Sequence, residues 1–107
     1  MNARETRASA LARVTAGAEL LDDLMPGWHD RIDLNSMHVS SPSRCVLGQL
    51  HPGGLPDPYC AGIAALGIND EADEDVDLGF QTAGEAWEYG VLTVEWRAQT
   101  EMRRAAS

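Results

Sequence analysis

The sequence contains no lysine: all eight of its basic side chains are arginine, set against 17 acids and three histidines. It also lacks long apolar runs. No stretch approaches the roughly 18 consecutive apolar residues that a membrane-spanning helix requires, so none is expected. The opening "MNARETRASALARV" lacks the apolar core of a secretion signal, so the cytoplasm is the expected compartment. Cysteine is scarce, and in that compartment Cys45 and Cys60 are expected as reduced thiols. Phosphate loops, dinucleotide fingerprints and Gly-x-Ser-x-Gly elbows are missing as well, leaving no motif for phosphoryl, hydride or acyl transfer.

What is present is enough for one folded unit. A chain of 107 residues has room for a single core, so residues 1–107 are expected as one helical domain. The 44% hydrophobic fraction and three tryptophans set it apart from a disordered acidic tail. The formal charge of −9 is unevenly spread. Residues 1–50 hold five arginines against six acids, whereas residues 51–107 hold three against eleven. Nine acids and no base lie between Asp70 and Glu95. That field repels nucleic acid and anionic lipid and attracts basic protein surfaces.

Helical signals dominate. Asn2 with Glu5 predicts a capping box, and Leu11, Val14, Ala18, Leu21 and Met25 recur at helical spacing until Pro26-Gly27. Gly17 weakens that helix by roughly 1 kcal/mol relative to Ala. Arg4, Arg7, Asp22 and Asp23 oppose its dipole, so tertiary contacts must offset both costs. Residues 28–41 show no clean period, with Trp28, Ile32, Leu34 and Met37 expected inward. Ser41-Pro42 predicts the start of a short helix through Cys45, Val46, Leu47 and Leu50, stopped by "HPGG". Asp57-Pro58 predicts a second helix carrying Tyr59, Ile63 and Leu66, closed by Gly67 in the left-handed conformation.

The segment "YGVLTVEW" reads either as strand or as helix. The following "RAQTEMRRAA" and its length favour one helix from about Glu85 or Gly90 to the tail. That helix carries two apolar stripes, Trp87/Val91/Val94/Ala98/Met102 and Tyr89/Leu92/Trp96. It is therefore central to the fold or lends one face to a partner. The first alternative is favoured. The expected fold is a compact all-α domain of four to five helices with an acidic loop.

Three stretches, "LLDDLMPGWHDRIDL", "CVLGQL" and "LTVEWRAQ", taken together resemble a family of small uncharacterised proteins of actinobacteria and their phages. The shared pattern is GW-x3-IDL, then CVLGQL, then LT-x2-WR. The resemblance implies a mostly helical fold and a helix over residues 90–104. It transfers no activity and no catalytic residue.

The acidic stretch "NDEADEDVD" at residues 69–77 invites a calcium reading. Asp73, Asp75 and Asp77 fit positions 1, 3 and 5 of an EF-hand loop. Leu78 then stands where glycine is needed and Gly84 where a bidentate Glu is needed, with Gly79 and Glu85 each one residue late. No metal or other cofactor is assigned. The zinc candidates His29, His38, Cys45, His51 and Cys60 lack the short paired spacings of structural sites. No catalytic residue is assigned either.

The function expected from the sequence is a non-enzymatic accessory protein of phage or prophage type. Its partner would be a protein with a basic surface, and neither direct nucleic-acid binding nor membrane association is expected. The candidate contact residues are Asp73, Asp75 and Asp77 together with Tyr89, Leu92 and Trp96. Two alternatives stand beside it. One is a small thiol- or metal-dependent enzyme or regulator built on Cys45, Cys60 and His51. The other is a nucleic-acid mimic occupying a DNA- or RNA-binding protein.

Overall fold

The computed structural model describes residues 7–82 and 84–106. It is all-α, with no strand among the described residues. In chain order the helices are α1 (Arg7–Leu24), α2 (Val46–Leu50), α3 (Pro58–Ala65), α4 (Glu74–Asp77) and α5 (Glu88–Ala106). Two 3-10 turns, Trp28–Arg31 and Asp70–Ala72, sit in the connections. The capping box of Asn2 and Glu5 lies outside the described residues.

Helices α1 and α5 form the frame. They run in the same direction, as the ladder of contacts between them shows. Arg7 faces Glu95 at 3.6 Å, Gln99 donates to Thr15 at 3.4 Å, and Arg103 pairs with Asp22 at 2.9 Å. Val14, Ala18 and Leu21 of the anticipated α1 stripe are fully buried. Leu11 is not: it is 46% exposed, and Ala10 takes the inward position one residue earlier.

Gly17 is explained by a close approach. A Cβ there would stand 2.1 Å from the Leu78 carbonyl oxygen and 3.0 Å from the Trp96 ring. Gly79, at φ +76, returns the favour, since a Cβ on it would lie 2.8 Å from Val14. These two glycines let α1 press directly on the backbone that follows α4. The indole of Trp96 fills the adjoining space. Its Nε1–H donates to the Gly79 carbonyl at 2.7 Å, its ring stacks on Phe80 at 5.1 Å, and it meets Trp28 edge-on at 5.8 Å.

The connector after α1 has no hydrophobic period because α5 holds it by its backbone. Thr93 Oγ1 accepts from the Val39 N–H at 3.0 Å, and Arg97 donates to the Met37 carbonyl at 3.4 Å. Arg104 donates to the carbonyls of His29 and Ile32. Trp28, Ile32 and Met37 are buried as expected, joined by Val39, while Leu34 is half-buried.

The short helices follow their caps. Asp57 accepts from the Cys60 N–H and Pro58 opens α3. Gly67 at φ +68 closes it, with the Ile68 N–H bonded to the Ile63 carbonyl and the Gly67 N–H to that of Ala64. The start expected at Ser41-Pro42 is corrected. Those residues form a turn, and α2 begins at Val46, capped by the Cys45 sulfur, which accepts from the Gly48 N–H at 3.3 Å. A Cβ on Gly48 would sit 2.1 Å from the Pro42 carbonyl oxygen, so the turn folds back over the helix it precedes.

Asp22 lies at the C-terminal end of α1, where a negative charge opposes the dipole. The opposition is offset by donors. Arg103 bonds both carboxylate oxygens at 2.9–3.1 Å, and the Trp28 indole N–H donates at 2.9 Å. Arg103 holds the Asp22 carboxyl below its ordinary value of 3.8, against the opposing effect of burial.

Two predictions follow from this packing. In Gly17→Ala the helix-propensity gain is about 1 kcal/mol. The clash is with backbone and cannot rotate away, and overpacking of this kind costs about 1–3 kcal/mol. The urea midpoint should therefore fall, and a rise would remove the close approach from the account. Because the Asp22 carboxyl titrates lower when folded, its stabilisation is complete above about pH 5 and is lost as pH falls through the depressed value. Asp22→Asn should thus cost stability at neutral pH, with the gap to the parent closing toward about pH 2. A gap of constant size over that range would contradict the pairing.

Candidate functional site

The acidic stretch is folded more tightly than a solvated loop. Asn69 caps the Asp70–Ala72 turn, its side chain accepting from the Glu71 and Ala72 amides. Glu74 reaches back to accept from the Asn69 N–H at 2.8 Å. Asp73 stands at φ +60, a left-handed conformation that aspartate tolerates better than most side chains. Its N–H bonds to the Asp70 carbonyl, and the Glu74 N–H to that of Asn69. Helix α4 ends the same way around Gly79, with the Phe80 N–H on the Asp75 carbonyl. Three left-handed residues, at 67, 73 and 79, thus terminate three successive helical turns.

This folding sorts the carboxylates. Asp70, Glu71, Asp73, Glu74 and Asp77 are exposed. Asp75 is only 6% exposed, which corrects its assignment as a contact residue. The stretch was expected as an acidic loop, but Asp75 lies in helix α4, whose turn rotates it inward. There it accepts from the Tyr59 hydroxyl at 2.7 Å. Burial pushes the Tyr59 phenol well up, and its bond to the Asp75 carboxylate adds to that. Tyr89 completes the cluster by donating to Gln81, and burial raises its phenol too. These groups tie α3, α4 and α5 together.

The second set of expected contact residues is also corrected. Leu92 and Trp96 are both fully buried, and Tyr89 is half-buried. The stripe that faces water is the other one: Trp87 is 53% exposed, Val94 58% and Met102 60%. Helix α5 is central to the fold chiefly through the Leu92 and Trp96 face, with Val91 of the other stripe half-buried against the core. Spacing alone could not choose between the faces. Gly17 makes room for Trp96, since a Cβ there would stand 3.0 Å from its ring, and the Gly79 carbonyl accepts from its indole N–H.

The thiols and imidazoles do not assemble into a reactive group. Cys45 and Cys60 are unbridged. Burial pushes the Cys45 thiol up; desolvation, with Asp57 beside it, raises that of Cys60. Neither is poised as a thiolate at neutral pH. His51 turns its Nδ1 to the Leu47 carbonyl at 3.0 Å, and His38 meets the Ser40 hydroxyl at 2.7 Å. Among the described residues no three His, Cys, Asp or Glu side chains converge as metal ligands. What the arrangement leaves at the surface is a set of carboxylates on an ordered backbone, and the exposed side chains of Trp87, Val94 and Met102.

No protein-family model matches the chain, and no match was found among curated proteins or solved structures. No helix among the described residues is long and apolar enough to cross a membrane.

The sorting of carboxylates can be checked directly. Tyr59→Phe removes the donor to a buried carboxylate and should destabilise by about 1–3 kcal/mol. Asp77→Asn, at an exposed position, should change stability by no more than about 0.5 kcal/mol. Equal effects in chemical denaturation would refute the inward placement of Asp75.

Proposed function

We propose that this chain is a cytoplasmic, non-enzymatic accessory protein of phage or prophage type that works by binding another protein with a basic surface. One observation carries the binding part of the reading. Asp70, Glu71, Asp73, Glu74 and Asp77 project from a backbone fixed by side-chain caps and left-handed turns, not from a loose tail. Ordering is normally a cost of binding, and here much of it is met within the free chain. The phage part rests on the sequence resemblance alone. The thiol-dependent alternative loses support from the upward shift of both cysteines.

Exposed like charges repel over roughly a Debye length, about 10 Å at 0.1 M salt. The free protein should therefore gain thermal stability as salt rises from very low to physiological levels. Binding to a basic partner should weaken over the same range, chiefly through slower association. The test is affinity capture from an actinobacterial lysate at low salt, then purification of the captured protein and kinetic titration. Asp70→Asn/Asp73→Asn/Asp77→Asn should stabilise the free chain and slow association at least about tenfold. A captured protein indifferent to both salt and the triple change would end the acidic-surface reading. Competition by DNA or RNA for the same partner would instead favour the mimic form of it.

A further inference from the structure

Along α5 and the turn that leads into it, Trp87, Val94 and Met102 are exposed apolar side chains, with Val91 half-buried beside them. Trp87 and Val94 are seven residues apart, and Val91, Ala98 and Met102 fall between and beyond them at steps of four and three. This is the spacing of a continuous helical stripe. Singly exposed apolar side chains are ordinary, but a contiguous set along one face marks an interaction surface. Trp87 is ready to be covered: its indole N–H already donates to Glu85 Oε2 at 2.8 Å, so burying the ring leaves no unpaired donor.

The charges beside this stripe select what covers it. The three arginines of α5 are drawn inward. Arg97 bonds the Met37 carbonyl, Arg103 bonds Asp22 and Gln99, and Arg104 bonds the carbonyls of His29 and Ile32. The exposed charges left on α5 and its lead-in are Glu85 and Glu101. Glu101 lies three residues after Ala98 and so flanks the stripe. A second copy would bring another chain of net charge −9 against this one. An anionic membrane would be repelled for the same reason.

We infer that the outward face of α5 docks a basic amphipathic helix of the partner protein. The partner's apolar side chains at i, i+3, i+4 and i+7 would lie along Trp87, Val94 and Met102, with lysines or arginines toward Glu85 and Glu101. The inference rests on the reading of the partner as a basic protein and adds a second contact surface to the 70–77 carboxylates.

The probe is a labelled synthetic peptide of about five helical turns, with leucines on one face and lysines elsewhere. A scrambled peptide of the same composition is the control, and both are titrated into the full chain by fluorescence anisotropy. The amphipathic peptide should bind at least about tenfold tighter than the scrambled one. Its binding should shift tryptophan emission to the blue, an effect lost in Trp87→Phe because Trp28 and Trp96 are already buried. Val94→Ser/Met102→Ser changes two exposed side chains, so its circular dichroism should match the parent while binding weakens at least about tenfold. Equal binding of both peptides, abolished by Asp70→Asn/Asp73→Asn/Asp77→Asn, would overturn the docking face and leave the basic-partner reading standing. Failure of both peptides to bind at low salt would remove both. Sedimentation showing a dimer that Val94→Ser/Met102→Ser dissociates would overturn the peptide-docking inference in favour of a second copy.

Discussion

The seating of the Trp96 indole is the constraint on which the other placements depend. An indole buries roughly 150–250 Å², worth about 4–6 kcal/mol of gross hydrophobic stabilisation. It can be buried that fully only if its N–H finds an acceptor. The Gly79 carbonyl supplies one, and its orientation is set by the left-handed turn at that glycine. Phe80, the next residue, is thereby laid flat on the same ring. Gly17 then allows α1 to close over the assembly without a side chain in the way. Trp28 packs edge-on from the connector, which fixes where α1 must end.

With Trp96 inside, α5 lies in one orientation, and everything on its flanks follows. One flank meets α1 through Glu95, Gln99 and Arg103; the other holds the irregular connector through Thr93, Arg97 and Arg104. Two helices running the same way place like dipole ends together, which is unfavourable. The contacts at their shared C-terminal end carry the compensation. Arg103 belongs there for the dipole of α5, and it also neutralises Asp22, which was out of place for the dipole of α1.

The all-helical class, the caps at Asp57 and Gly67, the inward positions of Val14, Ala18, Leu21, Trp28 and Ile32, and the helical reading of residues 90–104 were legible in the sequence. Each depends on local chemistry or on a period. Leu11 and the two stripes of α5 were misjudged because amphipathicity gives a face, not a neighbour. The start at Ser41-Pro42 was misplaced because a good cap signal also makes a good turn. Asp75 was taken as a contact residue because the acidic stretch was read as a loop, whereas residues 74–77 are helical. The connector had no readable period because its anchors are arginine and threonine side chains 54 to 75 residues away, bonding to backbone.

The acidic segment shows how a dense run of like charge can still be ordered. Its self-repulsion is not offset by cations within the run, since there is no base between Asp70 and Glu95. The repulsion is limited by geometry. One carboxylate in six, Asp75, leaves the surface to bond Tyr59, and Glu74 spends an oxygen on the Asn69 amide. The others are held by a backbone whose amides are bonded to carbonyls and to Asn69, not to the carboxylates being displayed. Removing displayed charges therefore need not unfold the segment, whereas removing Asp75 disturbs the junction of α3, α4 and α5. The same separation holds on α5, where Leu92 and Trp96 build the fold and Trp87, Val94 and Met102 add little to it. Residues that maintain this structure and residues that remain exposed are adjacent in sequence, and it is the helical rotation between them that keeps them apart.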